Sequence, residues 1–226
     1  MTARDTSPSD WVDRLQATLE SFDEAGAHRI LGQVFEQLDV EDGLTEVVLP
    51  YLHQVGQRWE QGKIGVAQEH FASNVLRVRL SMMLHGERGP DGPVAVLACM
   101  PGEQHEFGLI GLALVLSRLG WQACYLGANT PTPEIAYTAR TLLPRAVVLS
   151  AHRRTAFAAH GPALRRLGTV TEVHIAGPGA TDELAALCEA RLVVGNPVDG
   201  ARALHETYVL RGAGPGRLSD TVGDVG

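Results

Sequence analysis

The sequence predicts an α + α/β architecture: an N-terminal four-helix bundle followed by a doubly wound, Rossmann-like (flavodoxin-like) parallel-sheet domain. Three observations predict it. Up to Leu84, apolar residues recur at three- and four-residue steps in four successive runs, the spacing of helices that each bury one stripe. From Val94 onward, short strand-like runs alternate with helical ones, the pattern of βα units on a parallel sheet. Between the two lies His85-Gly-Glu-Arg-Gly-Pro-Asp-Gly92, a linker by its glycine and proline content. The expected boundaries are 10–85 for the bundle, 86–92 for the linker, 93–211 for the sheet domain and 212–226 for a flexible tail.

The elements follow in order. Met1 to Ser9 is polar and reads as a loose start. Trp11, Leu15, Leu19 and Phe22 set the first helix, with Ser9-Asp10 as its N-cap. The second runs from about Asp23 through Ile30, Leu31, Val34, Phe35 and Leu38. The third begins near Asp42-Gly43 and carries Val47, Val48, Leu52, Val55 and Trp59. Gly62-Lys-Ile-Gly65 breaks the pattern, and the fourth runs from about Val66 to Leu84. In the second half, strands are expected at Val94–Cys99, Gln122–Leu126, Ala146–Ser150, Val173–Ala176 and Leu192–Val194. Helices are expected at Phe107–Leu119, Glu134–Leu143, around His160–Leu167, Asp182–Ala190 and Gly200–Leu210. The tail from Gly212 is glycine-rich and expected to fray.

Composition narrows the function. The 226 residues carry a net charge of -7 with a pI near 5.7, the opposite of the clustered basic surface that grips nucleic acid. The three cysteines share no CxxC spacing, and two lie inside apolar runs, as expected of buried thiols in a reducing compartment. With no leader-like start and no apolar run of spanning length, the expectation is a cytoplasmic protein without direct nucleic-acid or membrane contact.

The stretch that carries chemistry is Pro101-Gly-Glu-Gln-His-Glu-Phe-Gly108, between the first strand and the helix after it. Open α/β sheets bind ligands at that carboxyl edge. Glu103 can accept a hydrogen bond from one imidazole nitrogen of His105, leaving the other for a metal. Gly108 opens the helix with no Cβ to block a close approach. An exposed loop histidine fits this short pattern equally well when it is taken alone. The right-handed crossover rule, however, brings the other polar βα loops to the same edge. There His105 would meet Thr130, Ser150, His152, Gly177 and Gly179, with Ser150 placed to hydrogen-bond an inserted group and the glycines leaving room for it. In the bundle, Val66, Glu69 and His70 project from one helix face, with Trp59 at the end of the helix before. Two readings stand: a lid over a polar ligand, or a core tryptophan beside a solvated helix start.

Glu103-x-His105-x-x-Gly108, Ser150 and Gly177 resemble the B12-binding domain shared by cobalamin-dependent methionine synthase, corrinoid carriers and mutases. The family pattern is Asp-x-His-x-x-Gly, then Ser-x-Leu, then a glycine pair. Here Glu103 replaces the aspartate, His152 stands at the leucine and Ala176-Gly177 at the pair. Trp59, Glu69-His70 and Glu103-x-His105 further resemble the light-sensing module of the CarH/LitR group of B12 photoreceptor regulators, over residues 10–210. The resemblance implies adenosylcobalamin between bundle and sheet, with His105 as lower axial ligand to cobalt and Trp59, Val66, Glu69 and His70 over the adenosyl group. It implies a non-enzymatic light sensor whose cobalt–carbon photolysis changes a homo-oligomer, dimer or tetramer, or the surface for an unknown downstream partner.

Two departures stand out. The MerR-type DNA-binding domain of those regulators is absent from this sequence. Glu60 follows the tryptophan where the group often has a histidine, so His70 or water is left as upper ligand after light. A stand-alone form resembles the photocobilins, which bind biliverdin beside B12; His152-Arg153-Arg154 is a candidate for its propionates or an ordinary surface turn. The rival functions are a corrinoid carrier of a methyltransferase system and a flavodoxin-like interaction domain without a corrinoid.

Overall fold

A computed structural model describes residues 7–86 and 92–212. The expected loose start before Ser7, the centre of the linker and the tail beyond Gly212 lie outside the described residues. Helix α1 spans Pro8–Glu20 and is closed by a capping box in which Ser7 and Asp10 bond each other's backbone. The cap is thus Ser7; the expected Ser9-Asp10 lies inside the helix, because Pro8 suits the first turn, where no amide partner is lost. Helix α2 spans Glu24–Gln37, capped by the Asp23 carboxylate.

The third rod of the bundle has three pieces. A short helix α3 (Val40–Asp42) passes into a π-helical stretch, Gly43–Val48, and then into α4, Leu49–Glu60. The backbone stays right-handed helical through both junctions, so this is one rod that starts at Val40, two residues ahead of the expected Asp42. Pro50 explains the widening: it has no amide for the carbonyl of Glu46, and its ring crowds that oxygen. The last rod is α5, Val66–Gly86.

The second half is a five-stranded, fully parallel sheet in the order β2-β1-β3-β4-β5. The strands are β1 Val94–Cys99, β2 Gln122–Gly127, β3 Ala146–Ser150, β4 Glu172–Ala176 and β5 Arg191–Leu192. The helices between and after them are α6 Phe107–Arg118, α7 Thr132–Leu142, α8 Arg154–Gly168, α9 Asp182–Cys188 and α10 Pro197–Gly212. The last strand sits one residue earlier and is shorter than the expected Leu192–Val194. Helix α8 starts well before His160, and α10 starts at Pro197.

Side-chain alternation builds two cores. Val96, Ala98, Val147, Leu149 and Ile175 face α7, α8 and α9. Ala95, Leu97, Cys99 and Val148 face α6 and α10, and that core continues without a break into Trp11, Leu15, Leu44 and Leu76 of the bundle. Helix α6 lies between sheet and bundle, so Leu109 to Ser117 are all buried, as expected of a helix covered on every side. A Cβ on Gly111 of α6 would stand 3.8 Å from the Leu44 side chain of the π stretch, and Arg202 of α10 pairs with Glu41. No described helix is long and apolar enough to cross a membrane.

Candidate functional site

The strand order reverses between β1 and β3, where the connections leave on opposite sides and the two carboxyl ends part. A doubly wound sheet opens its binding crevice at this switch point. The β1–α6 loop carrying His105 and the β3–α8 loop carrying His152 both rise from it.

Glu103 ties the two loops together. Its side chain is buried. One oxygen accepts from the backbone amide of His105 at 2.8 Å and from His105 Nδ1 at 2.6 Å. The other accepts from the backbone amide of His152. Burial alone would raise the carboxyl, but these hydrogen bonds outweigh it and hold Glu103 below the ordinary carboxylate range. An ionised acceptor fixes the proton of His105 on Nδ1. Nε2 is then left with a free lone pair, on a side chain that is 75% exposed. The His152 ring lies beside it, centroids 4.9 Å apart.

The loop itself is braced from several sides. Gly102 takes a positive φ and its amide donates to Asn129 Oδ1 at 2.7 Å, while the Asn129 amide donates to the Glu103 carbonyl. Thr130 is buried, with its amide on the Cys99 carbonyl and its hydroxyl on the Gly127 carbonyl. Cys99 Sγ donates to the His105 carbonyl at 3.8 Å. Burial, followed by the charges of Glu106 and Glu103, pushes that thiol up to about 12, so it is a neutral part of the wall.

Ser150, Gly177 and Gly179 also meet at this edge. A Cβ on Gly177, where φ is +86°, would stand 2.8 Å from the Ala151 carbonyl oxygen and 2.9 Å from Ser150 Oγ. One on Gly179 would stand 2.7 Å from the carbonyl carbon of Arg153. The space these glycines leave is therefore filled by the chain's own β3–α8 loop. Gly108 differs: a Cβ there would make ordinary contact with Pro197 of α10, so its open face is turned to that helix.

The bundle residues are placed by α5. Val66, His70, Ser73 and Arg77 recur at steps of four, three and four, one stripe of the helix. Glu69 bonds His70 Nδ1 at 2.7 Å and Ser73 Oγ at 2.6 Å. Arg77, two turns further on, pairs with Glu106, the residue after His105. Seven residues of rise put His70 about 10 Å along the axis from that contact, on the same stripe. Trp59 is 54% exposed and Val66 58% exposed. Neither belongs to the core, which corrects the expectation of a buried valine and removes the core reading of the tryptophan: both sit at the open ends of α4 and α5, where no described helix covers them.

Three residues to which the sequence reading gave no role in the site complete the loop; of these, Tyr125 opens the stretch Tyr125-Leu-Gly-Ala-Asn-Thr-Pro131, which resembles the second βα loop of the B12-binding family. Glu106 is buried, with one oxygen on Arg77 and the other accepting from Tyr125 Oη at 2.6 Å. Burial, then that hydrogen bond and the Glu106 charge, raise the Tyr125 hydroxyl far above its ordinary value, so it remains a donor. The signal available was weak: an acidic residue beside the histidine and a tyrosine two residues before Gly127.

Among the described residues there is no group of three or more histidine, cysteine, aspartate or glutamate side chains able to hold a metal ion. A bare ion therefore has no cage here. A metal that brings its own equatorial donors and needs one axial nitrogen fits the donor set, since His105 offers one oriented Nε2.

Residues 11–83 match a family model described as a B12 binding domain. The HTH-type transcriptional repressor CarH of Myxococcus xanthus is 36% identical over 140 residues, covering 62% of this chain and 47% of that protein. The HTH-type transcriptional repressor CarA of the same organism is 34% identical over 163 residues, covering 70% and 55%. The chain thus spans about half the length of the curated relatives it matches. Among solved structures, the Methanosarcina barkeri monomethylamine corrinoid protein superposes with a TM-score of 0.72 at 17% identity, covering 89% of this chain and all of that one, which shows the fold.

Proposed function

We propose that this chain is a cobalamin-dependent light sensor that holds adenosylcobalamin between its bundle and its sheet, with His105 as the lower axial ligand. The observation that carries the reading is the Glu103–His105 pair at the switch point, which leaves one metal-seeking nitrogen pointed outward. The B12-binding match over the bundle and the identity to CarH and CarA support it. When bound, the cofactor supplies a light-labile cobalt–carbon bond. The chain supplies position and cover. Glu103 sets the His105 tautomer, Trp59, Val66, Glu69 and His70 cover the upper face, and Thr130, Ser150, His152, Gly108, Gly177 and Gly179 shape the edge below.

We divide the chain accordingly into a capping bundle (10–85) and a cofactor-binding base (93–211). The output is a change of homo-oligomer or of a partner surface, because a ligand held across two layers biases their docking by its differential affinity. His152, Arg153 and Arg154, all exposed at the same edge, are the groups that would receive the propionates of biliverdin as a second chromophore.

The test mixes purified protein with adenosylcobalamin in the dark and records absorption and gel-filtration volume before and after green light. An irreversible spectral change with a shift in size is expected, and His105→Ala should lose the lower-ligand signature. Binding with no light-linked change would assign a corrinoid carrier, and no binding would overturn both. Repeating the mixture with biliverdin should add a tetrapyrrole absorption band that survives gel filtration; its absence ends the two-chromophore form.

A further inference from the structure

We propose that Glu106 is the positioning residue that couples the His105 loop to the helical layer, with Arg77 as its partner on the bundle and Tyr125 as its partner on the sheet. The inference rests on the cofactor reading above for its consequence, but its geometry is independent of any ligand. Glu106 shares a peptide bond with His105 and is buried beneath it. It occupies the N-cap of α6 without using its side chain to cap that helix. The carboxylate turns aside instead, one oxygen to Arg77 and the other to Tyr125 Oη.

Arg77 is held in turn by more than this pair. Its Nη1 donates to Asn74 Oδ1 at 2.8 Å, and its guanidinium lies 5.6 Å from the ring centroid of Phe107, the first residue of α6. One α5 side chain therefore touches both residues that follow His105. A planar guanidinium with fixed donor directions enforces register in a way that apolar contact does not. Apart from this contact and the Arg202–Glu41 pair, the bundle–sheet contact described above is apolar, and apolar surfaces slide at little cost because the hydrophobic effect is non-directional. A displacement of the His105 main chain must therefore either carry α5 with it or break the Arg77–Glu106 pair. Along the same helix face, two turns away, stand His70 and Glu69. The lower and upper faces of the site are thereby linked through a single carboxylate.

Hydrogen exchange on the full chain, with and without adenosylcobalamin in the dark, tests this. In the cofactor-free wild type, amides of α5 near Arg77 and of the first turn of α6 should be protected together. Arg77→Met should speed exchange at Glu106 to Ile110 at least tenfold, across the interface from the substitution, and Arg77→Lys should restore part of the protection. Tyr125→Phe, which leaves Arg77 in place, should loosen the same α6 turn from the sheet side. With cofactor, the wild type should gain protection on α5 and Arg77→Met should not. By reciprocity the variant should bind cobalamin more weakly by the factor lost in coupling, while keeping the lower-ligand absorption of His105. Unchanged exchange at Glu106 to Ile110 in cofactor-free Arg77→Met, or cofactor-induced protection of α5 equal to wild type, would overturn the proposal. If the wild type binds no cobalamin, the functional reading fails and the cofactor-free arm alone decides the coupling.

Discussion

Replacing Glu103 with glutamine isolates what its charge contributes. The shape is kept, but a carboxylate that accepts from three donors becomes an amide with one accepting oxygen and one donating nitrogen. Either the His152 amide or the His105 pair then faces a donor. An orphaned buried donor costs about 1–3 kcal/mol, and the bonds that survive lose their charge assistance, for a total of about 2–4 kcal/mol. For a chain of this length each kcal/mol moves the midpoint by about 2–4 °C, so Glu103→Gln should melt about 5–15 °C below the wild type at neutral pH. The assay is circular dichroism melting of the cofactor-free proteins across pH. Glu103 is held below the ordinary carboxylate range, so in the window between its native value and the ordinary one near 4.3 the unfolded chain binds more protons. The stabilisation is complete above that window and is lost as pH falls through the native value. The gap between wild type and variant should therefore close in acid. A gap under about 3 °C at neutral pH, against the range expected from these magnitudes, would refute the role given to the carboxylate. A gap that persists undiminished in acid would refute it equally.

Other outcomes follow from single distances. Gly177→Ala sets a Cβ against the Ala151 carbonyl at a positive φ and should cost about 2–5 kcal/mol, whereas Gly108→Ala, with room beside Pro197, should be neutral or gain up to about 1 kcal/mol; thermal melts compare the two. With its thiol pushed up to about 12 by burial first and by the Glu106 and Glu103 charges, Cys99 should resist iodoacetamide at pH 8 in the native chain and react once unfolded, as peptide mass mapping would show. Cys188, raised mainly by burial against the opposing charge of Arg165, should behave alike. Pro50→Ala returns an amide to the carbonyl of Glu46 and should shorten the π stretch; an unchanged Trp59 emission spectrum and unchanged exchange over Gly43 to Val48 would contradict that account.

What the sequence disclosed depended on the range of the interaction. The parallel sheet was legible because Val94–Cys99 and Ala146–Ser150 are short apolar runs buried on both faces, and burial on both faces leaves a continuous apolar signal. Glu103 and His105 were legible because their pairing is local, two residues apart in one loop. The Arg77–Glu106–Tyr125 link spans 29 residues on one side and 19 on the other, and no periodicity encodes a partner that distant. Val66 misled for a different reason. An apolar residue on a helical stripe reads as core, yet it begins α5, ahead of the turns that pack, and is left exposed. The π stretch was announced by Pro50 inside an otherwise regular pattern, a local cue that hydrophobic spacing alone does not register.

That stretch gives the third rod a property its neighbours lack. Six residues wound at the wider pitch hold, in effect, one residue of slack. If the widened turn tightens or migrates by one hydrogen-bond register, everything beyond it turns about 100° and advances about 1.5 Å without any helix unfolding. Leu44, buried in the core shared with α6, sits near the start of that stretch, and Trp59 stands exposed near the far end of the rod. A rod of this kind works like a screw with one thread in reserve: a shift of one register within Gly43–Val48 would reset the azimuth of the aromatic near its tip.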